Sequence, residues 1–129
     1  MAGRTHNEYN ESVKLHRWLE VRGIKHFHCP NENYGNTWAS VSGARMGVSK
    51  GVPDYFIFLP NGVNACIELK RSDGYAYASK DQKDWLAFLS SRGFRVAVCH
   101  GAEEAVDFLK SECEYEDTYQ RLPFDKCPF

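Results

Sequence analysis

The sequence predicts an α/β fold in which a mixed central β-sheet is flanked by helices, in the order α-β-β-β-α-β-α. Three observations lead there. Segments with helical spacing of apolar residues enclose segments of strand character. Two adjacent strand segments are separated only by Pro60-Asn61-Gly62, a turn signal that makes them a hairpin. A chain of 129 residues is long enough for one hydrophobic core and too short for two, so residues 1–129 are read as a single domain.

The first helix is expected from about Asn7 to Arg22. Val13, Leu15, Trp18 and Leu19 recur there at near-helical spacing, and Gly23 follows as a terminator. Residues 24–29, IKHFHC, alternate as a strand does and stop at Pro30. Residues 31–52 are rich in Asn, Gly and Ser without a period and read as a long loop, the kind that in a small domain is usually functional. The hairpin follows, DYFIFL at 54–59 and VNACIELK at 63–70. After the loop SDGYAYAS, Ser79 caps an amphipathic helix over 79–93 whose apolar side is Trp85, Leu86, Phe88 and Leu89 and which ends at Gly93. FRVAVC at 94–99 is a buried type of strand, and 102–114 is a helix with Ala105, Val106, Phe108 and Leu109 inward. The remaining tail, with two prolines and scattered aromatics, is expected to pack as an extended arm.

The composition, 43% hydrophobic and 26% charged, is that of a globular protein, and no apolar run approaches a membrane span. The first residues lack a secretory pattern, which leads to the expectation of a cytoplasmic protein. Five cysteines at wide spacings, with no CxxC pair, argue against a disulfide framework and a zinc ribbon; Cys66 and Cys99 are expected to be buried thiols. The net charge of −1 conceals a gradient: residues 1–100 carry 13 basic against 9 acidic side chains, and residues 101–129 carry 3 against 8. A basic face able to meet phosphates is therefore compatible with the first hundred residues.

The chemistry concentrates on the hairpin. Alternate strand residues share a face, so Glu68 and Lys70 point the same way, and the tight turn brings Asp54 alongside Glu68. Two neighbouring carboxylates repel each other unless a proton or a cation lies between them. Oxygen ligands with room for water suit Mg²⁺ or Mn²⁺, and such an ion polarises a phosphodiester and acidifies an attacking water. Lys70 would orient that water or take its proton. His26, His28 and Cys29 also cluster in sequence, but a strand sets Cys29 on the face opposite the two histidines, so no transition-metal centre is assigned to them.

Pro53-Asp54, thirteen residues, then Glu68-Leu69-Lys70 resembles the PD-(D/E)xK nuclease signature. The lead-in Lys50-Gly51-Val52-Pro53-Asp54, the small size, and Ser79 to Gln82 opening the next helix resemble the virus-type replication-repair nuclease (VRR-NUC) family, over roughly residues 8–109, with 110–129 left as a C-terminal arm. The resemblance implies a restriction-endonuclease-like core. It implies metal ligation by Asp54, Glu68 and the backbone carbonyl of Leu69, a catalytic Lys70, and Gln82 near the site, binding water or bracing the lysine. The family's first helix also carries an acid. Glu8 and Glu11 compete for that place, with family spacing favouring Glu8.

It further implies a metal-dependent endonuclease for branched DNA, similar to Holliday-junction resolvases, working as a homodimer without an organic cofactor or membrane. For a phage-encoded chain, the compartment would be the host cytoplasm. Arg45, Lys50, Arg71, Lys80 and Lys83 flank the expected site and are the candidate DNA contacts, with Arg17, Arg22 and Lys25 extending the surface and Tyr34 and Trp38 on a loop that would clamp DNA. The alternatives are a restriction-like enzyme cutting duplex DNA and a nuclease-like fold that binds or assembles on DNA without cleaving.

Overall fold

In a computed structural model the described residues are 7–30, 42–43, 45–74 and 77–119. Seven elements follow one another: α1 (Glu8–Val21), β1 (Lys25–His28), β2 (Tyr55–Phe58), β3 (Asn64–Lys70), α2 (Lys80–Ser91), β4 (Arg95–His100) and α3 (Ala102–Ser111). The expected order is the observed one, and the strand and helix bounds shift by a residue or two, except at α3. That helix ends at Ser111 rather than 114; Glu112 is its C-cap and Cys113 N–H turns back to Phe108 O. Of the loop 31–52, residues 42, 43 and 45 are helical, and Met46 N–H bonds back to Ser42 and Gly43 carbonyls. That turn has no apolar period to announce it. Tyr34 and Trp38 lie outside the described residues, as do residues 120–129 of the expected arm.

The sheet has the order β1-β2-β3-β4, antiparallel at its first two pairings and parallel between β3 and β4. A parallel pairing needs a crossover, and α2 supplies it. The hairpin closes as its residues dictate. Gly62 takes φ +86°, a left-handed value open to glycine, while Asn61 Oδ1 accepts from Val63 N–H at 3.1 Å.

Burial separates the two faces of the sheet. Tyr55, Ile57, Ala65, Ile67 and Leu69 point to one face and are sealed by Leu15 and Leu19 of α1 and by Ala105, Phe108 and Leu109 of α3. Covering this face removes large aliphatic and aromatic side chains from water, which is the main force holding the sheet to its helices. On the other face α2 packs on β3 and β4. Cys66, Glu68 and Lys70 therefore look towards α2, and β3 reads as buried on both sides. Cys66 and Cys99 are buried thiols, each pushed up to about 12 chiefly by burial, and Cys29 and Cys113 are likewise free.

Outside the core, residues 114–119 form no helix or strand and lie against α1. Tyr115 packs edge-on against Trp18, and Arg22 holds Asp117 through two bonds of 3.0 and 3.1 Å.

Candidate active site

Three elements deliver the site. The first is the hairpin. Asp54 immediately precedes β2, and its Oδ2 accepts from the Leu69 backbone N–H at 2.8 Å, tying the start of β2 to the end of β3. One residue earlier in β3, Glu68 is 2% exposed. Lys70, on the same face, sets its Nζ 3.6 Å from Glu68 Oε1.

The second element is α2. Ser79 and Gln82 form a capping box: Ser79 Oγ accepts from Gln82 N–H, and Gln82 Oε1 accepts from Ser79 N–H at 2.8 Å. With its oxygen committed there, the Gln82 amide must present its NH₂ end elsewhere, and it donates to Glu68 Oε1 at 2.6 Å. Gln82 thus contacts Glu68, whose Oε1 it shares with Lys70. Gly51 makes this approach possible. It sits at φ +83° against the first turn of α2, where an added Cβ would lie 2.6 Å from Asp81 Cβ and 2.7 Å from its carbonyl carbon.

The third element is α1. Glu8, in its first turn, lines a cleft of about 320 Å³ with Tyr9, Ser12, His28, Asp54 and Leu69. Glu11 goes elsewhere. It is 4% exposed, and its Oε1 accepts from Ala102 N–H at 2.8 Å, capping α3 at a point where Gly101 has no side chain to do so. Its other oxygen holds Lys14 at 3.1 Å. Of the two helix-1 acids, Glu8 is the one beside Asp54.

The electrostatics of the cluster follow from burial. Desolvation raises the Asp54 carboxyl above its ordinary value, offset in part by the Leu69 N–H. Desolvation and the neighbouring Asp54 raise Glu68 to about 8, against the lowering influence of Lys70. A hydrogen bond between two carboxyls needs one of them to hold a proton. When both are ionised, Glu68 Oε2 is buried with no partner. An orphaned carboxylate oxygen next to a second carboxylate, with an open cleft beyond, is a donor set that fits a small divalent cation.

A model of the VRR-NUC domain matches residues 7–103, from the α1 cap past β4. The chain belongs to the VRR-NUC family. Its members are nucleases of the PD-(D/E)xK type, which act on DNA and generally use divalent metals. A solved structure, that of a VRR-NUC domain protein, superimposes with a TM-score of 0.67 at 22% identity, covering 86% of this chain and 91% of the other. The mixed sheet with its helices is thus the VRR-NUC fold. No curated protein matches the chain.

In this VRR-NUC domain Asp54, Glu68, Leu69, Lys70 and Gln82 converge, with Glu8 on the cleft beside Asp54. Arg45, Lys50, Arg71, Lys80 and Lys83 are all exposed. Arg71 and Lys80 make surface pairs with Asp73 and Asp84, contacts weak enough to exchange for a phosphate. Arg22 is withdrawn from that surface. Besides the Asp117 pair, its guanidinium lies 4.0 Å over the Trp18 ring and 4.7 Å over Tyr119, so its work is to hold residues 114–119. His28 and Ser12 on the cleft escaped the sequence reading. The β1–β2 register places His28 opposite Tyr55, with the rings stacked at 4.7 Å, and Cys29 N–H bonds to Asp54 O at 2.6 Å. The only sequence signal was the HxH pattern, which does not reveal which strand β1 pairs with.

Proposed function

We propose that this protein is a divalent-cation-dependent, structure-specific DNA endonuclease that acts as a homodimer on branched DNA of the Holliday-junction kind. The observation that carries the reading is the orphaned, buried Oε2 of Glu68 beside Asp54, with Lys70 on the same face. A cation held by Asp54, Glu68 and the Leu69 carbonyl, with Glu8 at the rim, would supply positive charge to the phosphodiester and acidify water; Mg²⁺ and Mn²⁺ suit these oxygen donors.

The chain's own groups do the rest. Gln82 holds the Glu68 carboxylate through its Oε1 from the capping box, which leaves the buried second oxygen without a hydrogen-bond partner. Lys70, held near Glu68 and largely buried, is positioned to steer a water molecule and to offset negative charge on the phosphate. Glu8, exposed on α1, accepts a proton or a water hydrogen at the rim. Lys50, Lys80, Lys83, Arg71 and Arg45 neutralise phosphates without reading bases, which suits recognition of DNA shape.

A second copy has a face to use. Phe27 and Phe58, 50% and 38% exposed, stand with Phe56 on the side of β1 and β2 that α2 leaves uncovered, beside an edge strand. A twofold dimer would present two sites to a symmetric junction. The test is cleavage of four-way junctions, flaps and linear duplex in parallel with Mg²⁺ and with Mn²⁺, using Asp54→Asn as control. Symmetric paired nicks in the junction, absent from the control, are expected. Binding without cleavage by either protein would replace this reading with a DNA-binding module, and cutting of duplex alone would replace the junction substrate.

A further inference from the structure

On the far side of α1 from Glu11, two turns beyond Glu8, the helix meets the edge strand through a pair of imidazoles. His16 Nδ1 lies 2.8 Å from His26 Nε2. Glu20, one turn after His16 on α1, shares its side of the helix. One ligand atom from each of the three residues lies within 4.8 Å of the other two. We propose that His16, Glu20 and His26 form a zinc site that clamps α1 to β1, with a water completing the fourth position.

The protonation pattern favours an ion. His26 Nδ1 is 2.8 Å from the Ile24 carbonyl, which can only accept, so this nitrogen carries the hydrogen and Nε2 turns its lone pair outward towards His16. A ligating histidine is commonly oriented in this way, by a carbonyl bound to its other nitrogen. In the metal-free protein His16 Nδ1 donates to that lone pair. When an ion takes its place, the His16 proton moves to Nε2, on a side chain that is exposed to water. Zn–N bonds of about 2.0–2.1 Å in a tetrahedron separate two nitrogens by about 3.3 Å, so the rings open by roughly half an ångström. His16 can supply that movement from an exposed helical position.

The Glu20 carboxylate makes no ion pair among the described residues, and it adds the negative charge that a divalent ion needs. Two imidazoles and one carboxylate suit Zn²⁺ and its neighbours in the transition series, and not Mg²⁺. The site is distinct from the carboxylate cluster, and the inference does not rest on the nuclease reading. The clamp joins the helix that carries Glu8 and Ser12 to the strand that carries His28, so both walls of the cleft are braced by one ion.

The experiment uses the full chain with Asp54→Asn and Glu68→Gln, which removes the catalytic carboxylates as competitors. Zinc chloride is titrated in by calorimetry, and Co²⁺ is used as a spectroscopic substitute. One ion per chain is expected, with visible cobalt bands of a four-coordinate nitrogen and oxygen set, and a melting temperature that rises with zinc concentration. Adding His16→Ala, on the exposed face of α1, should weaken binding at least about tenfold and abolish the thermal shift. His26→Gln should do the same, its folding being checked by circular dichroism. Equal zinc uptake with and without His16→Ala, cobalt–thiolate charge-transfer bands pointing to Cys29, or no uptake at all would each overturn the assignment.

Discussion

Replacing Glu68 by glutamine isolates the electrostatic strain at the candidate site. In the cation-free protein, burial and Asp54 raise Glu68 from its ordinary 4.5 to about 8. A folded-state value above the unfolded one means that the folded protein keeps a proton that the unfolded chain has lost. Stability from this group is therefore fully present below about 4.5 and is lost as pH rises through about 8. At about 1.4 kcal/mol for each tenfold change in proton affinity, the ceiling is about 5 kcal/mol. Only part of that titration falls between about pH 5 and pH 8, where a loss on the order of 3 kcal/mol is expected from this group, and Asp54, also raised, acts in the same direction. Glutamine has the same shape and no charge. The assay is urea unfolding of both proteins across that range, first with a chelator and then with saturating Mg²⁺. With the chelator, the wild-type protein should lose stability relative to Glu68→Gln as pH rises; with Mg²⁺ the difference should flatten, because the cation replaces the proton between the carboxylates. Parallel stability curves in the chelator, or a wild-type protein that gains on the variant towards alkaline pH, would refute the argument that burial governs this pair.

Further outcomes follow from the same geometry. Gly51→Ala combines a strained positive φ with a Cβ driven into Asp81, so it should destabilise the fold by about 1–3 kcal/mol and lower cleavage by displacing Gln82, measured by urea unfolding and by nicking assay. Glu8→Gln and Glu11→Gln should divide cleanly. The first should lower cleavage at an unchanged melting temperature, while the second should cost about 1–3 kcal/mol of stability through the weakened cap on Ala102. Lys83→Ala should lower the slope of log affinity against log salt by about 0.9 if it meets one DNA phosphate; Arg22→Ala should leave that slope alone and loosen residues 114–119 to hydrogen exchange.

Much of the molecule was legible because its signals are local. Ser79 three residues before Gln82, Gly23 and Gly93 after apolar periods, and the PNG turn between two strand segments each specify backbone geometry within a few residues. The convergence of Asp54, Glu68 and Lys70 was likewise readable, since a two-residue alternation and one tight hairpin suffice to bring them together. Glu8 and Glu11 could not be separated in this way. Both lie in the first turn of the same helix, and what distinguishes them is that α3 begins against Glu11, ninety-one residues further along the chain. His28 was missed for the same reason, since its place beside Asp54 depends on β1 pairing with β2 across a long intervening segment. Nothing local distinguishes Arg22 from the exposed basic residues, and only the tertiary structure sets Asp117, Trp18 and Tyr119 around it.

The amino-acid order alone determined which elements form and which three hairpin side chains share a site, because turns, caps and alternation act over short stretches of backbone. The tertiary structure decided which acid of α1 faces the cleft, how Gln82 orients Glu68, which basic residues stay exposed, and that His16, Glu20 and His26 meet. Those outcomes depend on packing between elements distant in sequence, where burial and the pairing of strands choose among side chains that local pattern leaves equivalent.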